Sequence, residues 1–278
     1  MCIRDSANAS CLSDAQNEAI RAYVERGGSV IASYETSLRD EFGKRRSEFG
    51  LSEVLGAKFV SGPRGIVKNT YVALSGDHPV NQGYDGAERI MGGTRLIHAD
   101  SIGNATTPFL YVPDFPDLPM EEVYPRKAPE GAGVIARETG KGGRTVYIPW
   151  NIGEIFWEVF AVDHGKLIGN AVRWALGKTP RVTVEGPGVI DMALRENAEG
   201  IALSLFNLTN PMMMKGPIRE NYPLAAQTVS VEIPPGKSMA KAWLVVTDRA
   251  ATFSVKDGRA QVEVPGIERL EVLHLTWK

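Results

Sequence analysis

At 278 residues the chain is long enough for two domains, each with its own core, and its 43% hydrophobic and 23% charged content is ordinary for a globular protein. A formal net charge of −2 argues against a surface that tracks phosphates, so nucleic acid is not an expected partner. No apolar run approaches the roughly 20 residues that cross a bilayer, so no membrane partner is expected either, and the two cysteines, Cys2 and Cys11, form neither a disulfide framework nor a metal cluster.

The first segment, Met1-Cys2-Ile3-Arg4-Asp5-Ser6, lacks the apolar core of a secretory signal and does not lead into the helix that follows. Residues 1–11 read as a non-native leader of the kind that opens many metagenomic reading frames. The expectation is that they stand outside the fold and that the natural protein extends upstream. Ser13 with Gln16 three residues on is a capping-box pattern, and Ile20, Tyr23 and Val24 give the helix one apolar face. Arg26 and Gly27 suit its end. Val30, Ile31 and Ala32 then form an uninterrupted apolar run, as a strand covered on both faces requires. A polar loop begins at Glu35-Thr36-Ser37, and a second helix presents Leu51, Val54 and Leu55 before a stop at Gly56. In open α/β sheets ligands bind where such a loop leaves the carboxyl end of a strand.

Strands are expected over Ala57–Val60, Ile66–Leu74, Arg95–Ala99 and Phe109–Val112, with a short helix opening at Asp77-His78-Pro79. His78 is read there as a capping residue rather than a catalytic one. Pro113 to Pro129 is a long proline-rich loop. Gly133–Glu138 and Arg144–Ile148 flank a glycine-rich turn and form a hairpin, since the turn lacks the strand-to-helix setting of a phosphate loop. Tyr147-Ile148-Pro149-Trp150-Asn151 leads into a second loop carrying Glu154, Trp157, Glu158 and Asp163, and Asp163 is expected to cap the helix that follows. Gly177-Lys178-Thr179-Pro180 closes this domain. Beyond it, short β-rich runs without helices, with Asp257-Gly258 as a tight turn, predict a small β-sandwich over 181–278. Met212-Met213-Met214 falls in a long loop between two of these runs and reads as flexible packing.

No chemistry stands out. Neither cysteine follows a central strand as an amidotransferase nucleophile does, and none of His78, His98, His164 and His274 accompanies a nucleophile or zinc motif. Glycoside hydrolysis needs two facing carboxyl groups about 5–10 Å apart. Glu35, Asp40, Glu41, Glu154 and Glu158 lie in the two loops, where pairing with Arg39, Lys44, Arg45 and Arg46 is the plainer expectation.

The order of elements resembles the β-galactosidase trimerisation domain, an amidotransferase-like fold of bacterial β-galactosidases and their relatives. The blocks that carry the resemblance are Leu12-Ser13-Asp14, Tyr23 to Gly28, Glu35 to Leu38, Asp40 to Gly43, Phe49-Gly50-Leu51, and Asp163-His164 with Leu167 to Leu176. The tail, with Leu205 to Thr209 and Val231 to Gly236, is similar to the small C-terminal β-domain of the same enzymes. The resemblance implies an open, mainly parallel α/β sheet with flanking helices over 12–178, followed by the sandwich. It also implies a homo-oligomer, trimeric in that family, with carbohydrate as the candidate ligand. Catalysis there belongs to a (β/α)₈ barrel of about 250 residues that this chain does not contain. The expected role is therefore non-catalytic, in self-association and in shaping a sugar cleft, with no catalytic residue, cofactor or metal. A stand-alone carbohydrate-binding module and an amidotransferase-like hydrolase are the alternatives. The candidate ligand or interface positions are Glu35, Thr36, Ser37 and Asp40 in the first loop and Trp150, Asn151, Glu154 and Trp157 in the second.

Overall fold

The computed structural model describes residues 3–6, 8–115, 127–209 and 220–278, with the backbone alone for 3–6. The Met212–Met214 cluster, Cys2 and the centre of the proline-rich loop lie outside the described residues. The chain divides into two compact units, Met1–Thr179 and Pro180–Lys278.

In chain order the first unit contains β1 (Ile3–Ser6), α1 (Asp14–Glu25), β2 (Ser29–Ser33), α2 (Ser52–Leu55), β3 (Ala57–Arg64), β4 (Tyr71–Leu74), β5 (Arg89–Met91), β6 (Leu96–Ser101), β7 (Thr106–Val112), β8 (Ala132–Glu138), β9 (Arg144–Ile148), α3 (Ile152–Val159) and α4 (Val162–Leu176). Seven strands form one sheet in the order β1-β2-β9-β8-β7-β4-β5, and β3 pairs with β6 beside it.

α1 opens as its sequence requires. The Ser13 hydroxyl accepts from the Gln16 N–H at 3.2 Å, and the Gln16 side chain accepts from the Ser13 N–H at 2.9 Å. Gly28 after the helix admits no side chain, because a Cβ there would lie 2.3 Å from the Tyr23 ring. All five residues of β2 are buried. Val30 and Ala32 join the core that Val24 of α1, Leu55 of α2 and Tyr147 share, while Ile31 joins the core on the opposite face with Val146, Ile148 and the α4 residues Leu167, Ala171 and Ala175. A strand buried on both faces reads as a continuous apolar run, which is why Val30-Ile31-Ala32 is so plain in sequence.

Three expectations need correction. The sheet is mixed rather than mainly parallel: β2 pairs in parallel with β1 and β9, but β9-β8, β8-β7, β7-β4 and β4-β5 are all antiparallel. Parallel neighbours need a long crossover, and the helix α1 supplies one between β1 and β2; from β7 to β9 no helix intervenes among the described residues, and the β8-β9 connection is a tight hairpin. The described part of residues 1–11 does not stand outside the fold, since β1 pairs with β2 from Ile3↔Ser29 to Ser6↔Ala32. The Ala9 and Ser10 carbonyls also accept from Ser37 N and Arg39 N, each at 2.9 Å. The segment expected as a second loop is largely the helix α3, and Asp163 does not cap α4. Ala161 is the N-cap, without a side-chain bond, and Asp163 sits in the first turn, where its charge suits the helix dipole. Smaller differences follow from local geometry: the strand expected from Ile66 begins at Tyr71, and β5 was not anticipated.

The second unit contains β10 (Val182–Glu185), β11 (Ile190–Glu196), β12 (Gly200–Asn207), β13 (Gln227–Glu232), β14 (Met239–Leu244), β15 (Arg249–Ala250), β16 (Phe253–Lys256), β17 (Arg259–Val264) and β18 (Leu270–Trp277). The sheets β10-β13-β17-β16 and β11-β12-β18-β14-β15 face each other over one core, in which Leu203, Leu205, Leu273 and Leu275 meet Val229, Val231, Val262 and Val264. Asp257 (φ 51°) and Gly258 (φ 71°) make the two-residue turn between β16 and β17, with both residues in the left-handed region that such a hairpin demands. The carboxylate of Glu271, buried in β18, accepts from Val246 N at 2.9 Å, Thr247 N at 3.3 Å and Thr247 Oγ1 at 2.8 Å, and so secures the segment after β14.

Candidate functional site

β2 and β9 run parallel, so their carboxyl ends open on the same edge, and the two segments carrying the candidate residues leave from there. Among the described residues, the only ones with positive φ that are not Gly, Asn or Asp are Tyr34 (50°), Ser37 (63°) and Phe160 (51°). All three lie on these two segments. Such backbone is costly for a residue with a Cβ and persists only where its surroundings dictate it. The surroundings do so here: Tyr34 N donates to the Ile148 carbonyl at 2.8 Å, and the Tyr34 carbonyl accepts from the Tyr147 hydroxyl at 2.6 Å. Ser37 donates its N–H to Ala9, and its hydroxyl accepts from Leu51 N at 3.1 Å.

Two ion pairs flank Tyr34. Glu35 Oε1 meets Arg39 Nη2 at 3.1 Å, and Glu154 Oε1 lies 3.8 Å from Arg95 Nη2. Burial is the main cause that pushes the Tyr34 phenol above its usual value. The fields of Glu35 and Glu154 add to it, while those of Arg95 and Arg39 oppose. Glu35 and Arg39 lie on the first segment, and Arg95 and Glu154 form the second pair. Asn151 organises the second half. Its Oδ1 accepts from Thr94 N at 3.1 Å and Arg95 N at 3.0 Å, and its Nδ2 donates to Thr94 Oγ1 at 3.1 Å and to Glu154 Oε2 at 2.8 Å.

The structure sorts the eight candidate positions. Asn151 and Glu154 meet, and Glu35 pairs with Arg39 within the first segment. Thr36 and Ser37 are buried inside the loop, with Thr36 Oγ1 donating to the Ser33 carbonyl at 2.7 Å, so neither faces a ligand. Asp40 shapes a turn, its Oδ1 accepting from Phe42 N at 3.0 Å and Lys44 N at 2.8 Å. Trp150 is 1% exposed and donates Nε1–H to the Gly133 carbonyl at 2.9 Å, which makes it a core anchor rather than a sugar platform. Trp157 is 61% exposed, with its ring edge-on to Phe160. Tyr34 and Arg95 are neighbours of the candidate residues that sequence reasoning missed. Arg95 arrives from a segment about sixty residues from Glu154, and no spacing signals that meeting.

α3 adds a second property to the edge. Its sequence, IGEIFWEV, is strongly apolar, yet only Ile152 within it is buried. Trp157 and Val159 in α3 and Val162 at the start of α4 are exposed, and Phe42 projects from the first loop at 88% exposure. His164, the histidine an amidotransferase-like site would need, does not join Glu35. It is fully buried against Trp150 with Nε2 2.9 Å from the Met91 carbonyl. Cys11 precedes α1 and is exposed. No group of three or more histidine, cysteine, aspartate and glutamate residues that could hold a metal occurs among the described residues.

No family model and no curated protein matches this chain. Solved structures do. An α-L-fucosidase isoenzyme 2 from Paenibacillus thiaminolyticus matches over 99% of this chain with a TM-score of 0.72 at 17% identity. β-Galactosidases from Bacillus circulans sp. alkalophilus (TM-score 0.62, 12% identity, 98% of this chain) and from Rahnella sp. R3 (0.59, 15%, 99%) are similar as well. At these identities the likeness is one of fold. The chain spans 41% of the fucosidase and 32% of each galactosidase.

Proposed function

We propose that this chain is a non-catalytic region of a glycoside-hydrolase-type protein. Its carboxyl-edge surface serves self-association, in a trimer on the sequence resemblance, and walls part of a neighbouring subunit's sugar cleft. The observation that carries the reading is the exposure of the apolar residues Trp157 and Val159 in α3 and Val162 at the start of α4, on the segment that also carries Glu154 and its ion pair. A helix this apolar that stays uncovered marks an association surface. The left-handed backbone at Tyr34, Ser37 and Phe160 supports the same edge. The likeness of fold to part of a fucosidase and of two β-galactosidases supports the class of parent protein. Glu35 and Glu154 each pair with an arginine, which supports a positioning role over catalysis.

Sedimentation of the purified chain, alone and mixed with a separately produced glycosidase barrel, tests the proposal. Concentration-dependent association of the chain, or its capture by the barrel, is expected. A chain that stays monomeric at high concentration and ignores the barrel contradicts it.

A further inference from the structure

A cleft of the first unit lies at the opposite edge of the sheet, with a volume of about 1010 Å³. Its lining comes from four places: the turn after β4 (Asp77, His78, Gln82), the turn before β7 (Asn104), the ends of β8 and β9 (Glu138, Arg144) and the last turns of α4 (Arg173, Trp174, Lys178). Its charges are not all balanced. Arg144 is engaged: Nε donates to Glu138 Oε1 at 3.1 Å, Nη1 donates to the Trp174 carbonyl at 2.8 Å, and the guanidinium lies over the Trp174 ring. Arg173 and Lys178 have no carboxylate partner among the described residues.

Arg173 is also positioned. Its Nη2 donates to Asn170 Oδ1 at 3.2 Å, and Asn170 is itself locked by donating Nδ2 to the Val80 carbonyl at 3.2 Å and the Gln82 carbonyl at 2.9 Å. A guanidinium held by a nearly buried amide, with its remaining donors open, is a ready fork for a carboxylate. His78 is held edge-on to Trp174, with ring centroids 4.8 Å apart, and its Nδ1 accepts from Val80 N at 3.1 Å. That bond puts the proton of the neutral ring on Nε2, leaving a donor on the cleft wall. Gln82 donates to Asp77, and Asn104 donates to the Glu138 carbonyl and accepts from Arg137 Nε; the lone pairs and amide N–H groups these bonds leave over are ones that hydroxyl groups use. The volume far exceeds what a lone carboxylate fills.

We propose that this cleft binds an acidic sugar, its carboxylate on Arg173 and Lys178 and its hydroxyls on Asp77, Gln82 and Asn104. The site is separate from the carboxyl edge and does not depend on the self-association reading.

Isothermal titration of the full chain with galacturonate, galactose and acetate at low salt tests it. Galacturonate should bind at least about tenfold more tightly than either galactose or acetate, the difference one charge-assisted pair makes. Arg173→Gln and Lys178→Gln should each weaken galacturonate by about tenfold, while Lys237→Gln in the second unit leaves it unchanged. Both cleft side chains are exposed, so thermal melting of the variants should match the unaltered chain. Four results would overturn the assignment: no heat with galacturonate, galactose bound equally well, acetate bound equally well, or full binding retained in Arg173→Gln.

Discussion

Asn151 donates Nδ2–H to the Glu154 carboxylate at 2.8 Å while its own carbonyl oxygen receives the main-chain N–H groups of Thr94 and Arg95. One amide thereby ties the start of α3 to the segment before β6 and holds Glu154 near Arg95. Asn151→Ala leaves two main-chain donors without that acceptor and should destabilise the first unit by about 2–4 kcal/mol. Chemical denaturation measures the loss. A change within error would mean that solvent replaces the amide and that Glu154 is not held by it.

The two tryptophans of this region should respond in opposite ways. Trp150 fills the core and bonds to Gly133, so Trp150→Ala should cost about 3–5 kcal/mol, and Trp150→Phe less, about 1–3 kcal/mol with the Gly133 carbonyl left unpaired. Trp157→Ala at low protein concentration should shift stability by no more than about 0.5 kcal/mol. Equal losses at both positions would contradict the placement of Trp157 on the surface.

His164 makes stability depend on pH. Burial holds its pKa below the ordinary value near 6.5, the Met91 carbonyl opposing, so the folded protein keeps the ring neutral where the unfolded chain takes up a proton. The contribution is complete above about pH 6.5 and is lost as the pH falls from there toward the folded value, at up to about 1.4 kcal/mol per pH unit. His78 and His98 are shifted downward by burial as well and add to the slope. Unfolding free energies at about pH 7.5 and about pH 5.5 should therefore fall with acid, and less steeply in His164→Phe. An identical slope in that variant would remove His164 from the account.

In the sandwich, Glu271→Leu removes the acceptor shared by the Val246 and Thr247 N–H groups and the Thr247 hydroxyl. A loss of about 2–4 kcal/mol is expected, because donors to a charged acceptor are left bare in a partly buried turn. Hydrogen exchange at Val246 and Thr247 should quicken before the rest of the unit opens. Unchanged protection there would show that the carboxylate is dispensable.

Much of the fold was legible in the sequence because single residues enforce it locally. The Ser13–Gln16 cap, the stop at Gly56 in the left-handed region and the Asp257-Gly258 turn each stand where their chemistry demands. The direction of strand pairing was not legible from Val30-Ile31-Ala32, since an apolar run reports burial on both faces and says nothing of the neighbours' direction. The glycine hairpin after Glu138 carried that information, because it obliges β8 and β9 to run antiparallel. α3 was hidden for a different reason: Ile152, Ile155, Phe156 and Val159 share a helical face, but at eight residues the segment is too short for that period to stand out. Of the site, the two loops at the carboxyl edge were readable from strand order. The meeting of Glu154 with Arg95 and the strained Tyr34 depend on tertiary contacts that leave no local pattern.

The central claim is that the exposed Trp157 side of α3 joins one copy of the chain to another. Sedimentation equilibrium of the unaltered chain beside Trp157→Asp tests it most directly, since a charge at a surface position spares the fold and breaks an apolar contact. The account predicts a mass that rises with concentration for the unaltered chain and a monomer throughout for Trp157→Asp. A monomer in both, or the same assembly in both, would contradict it.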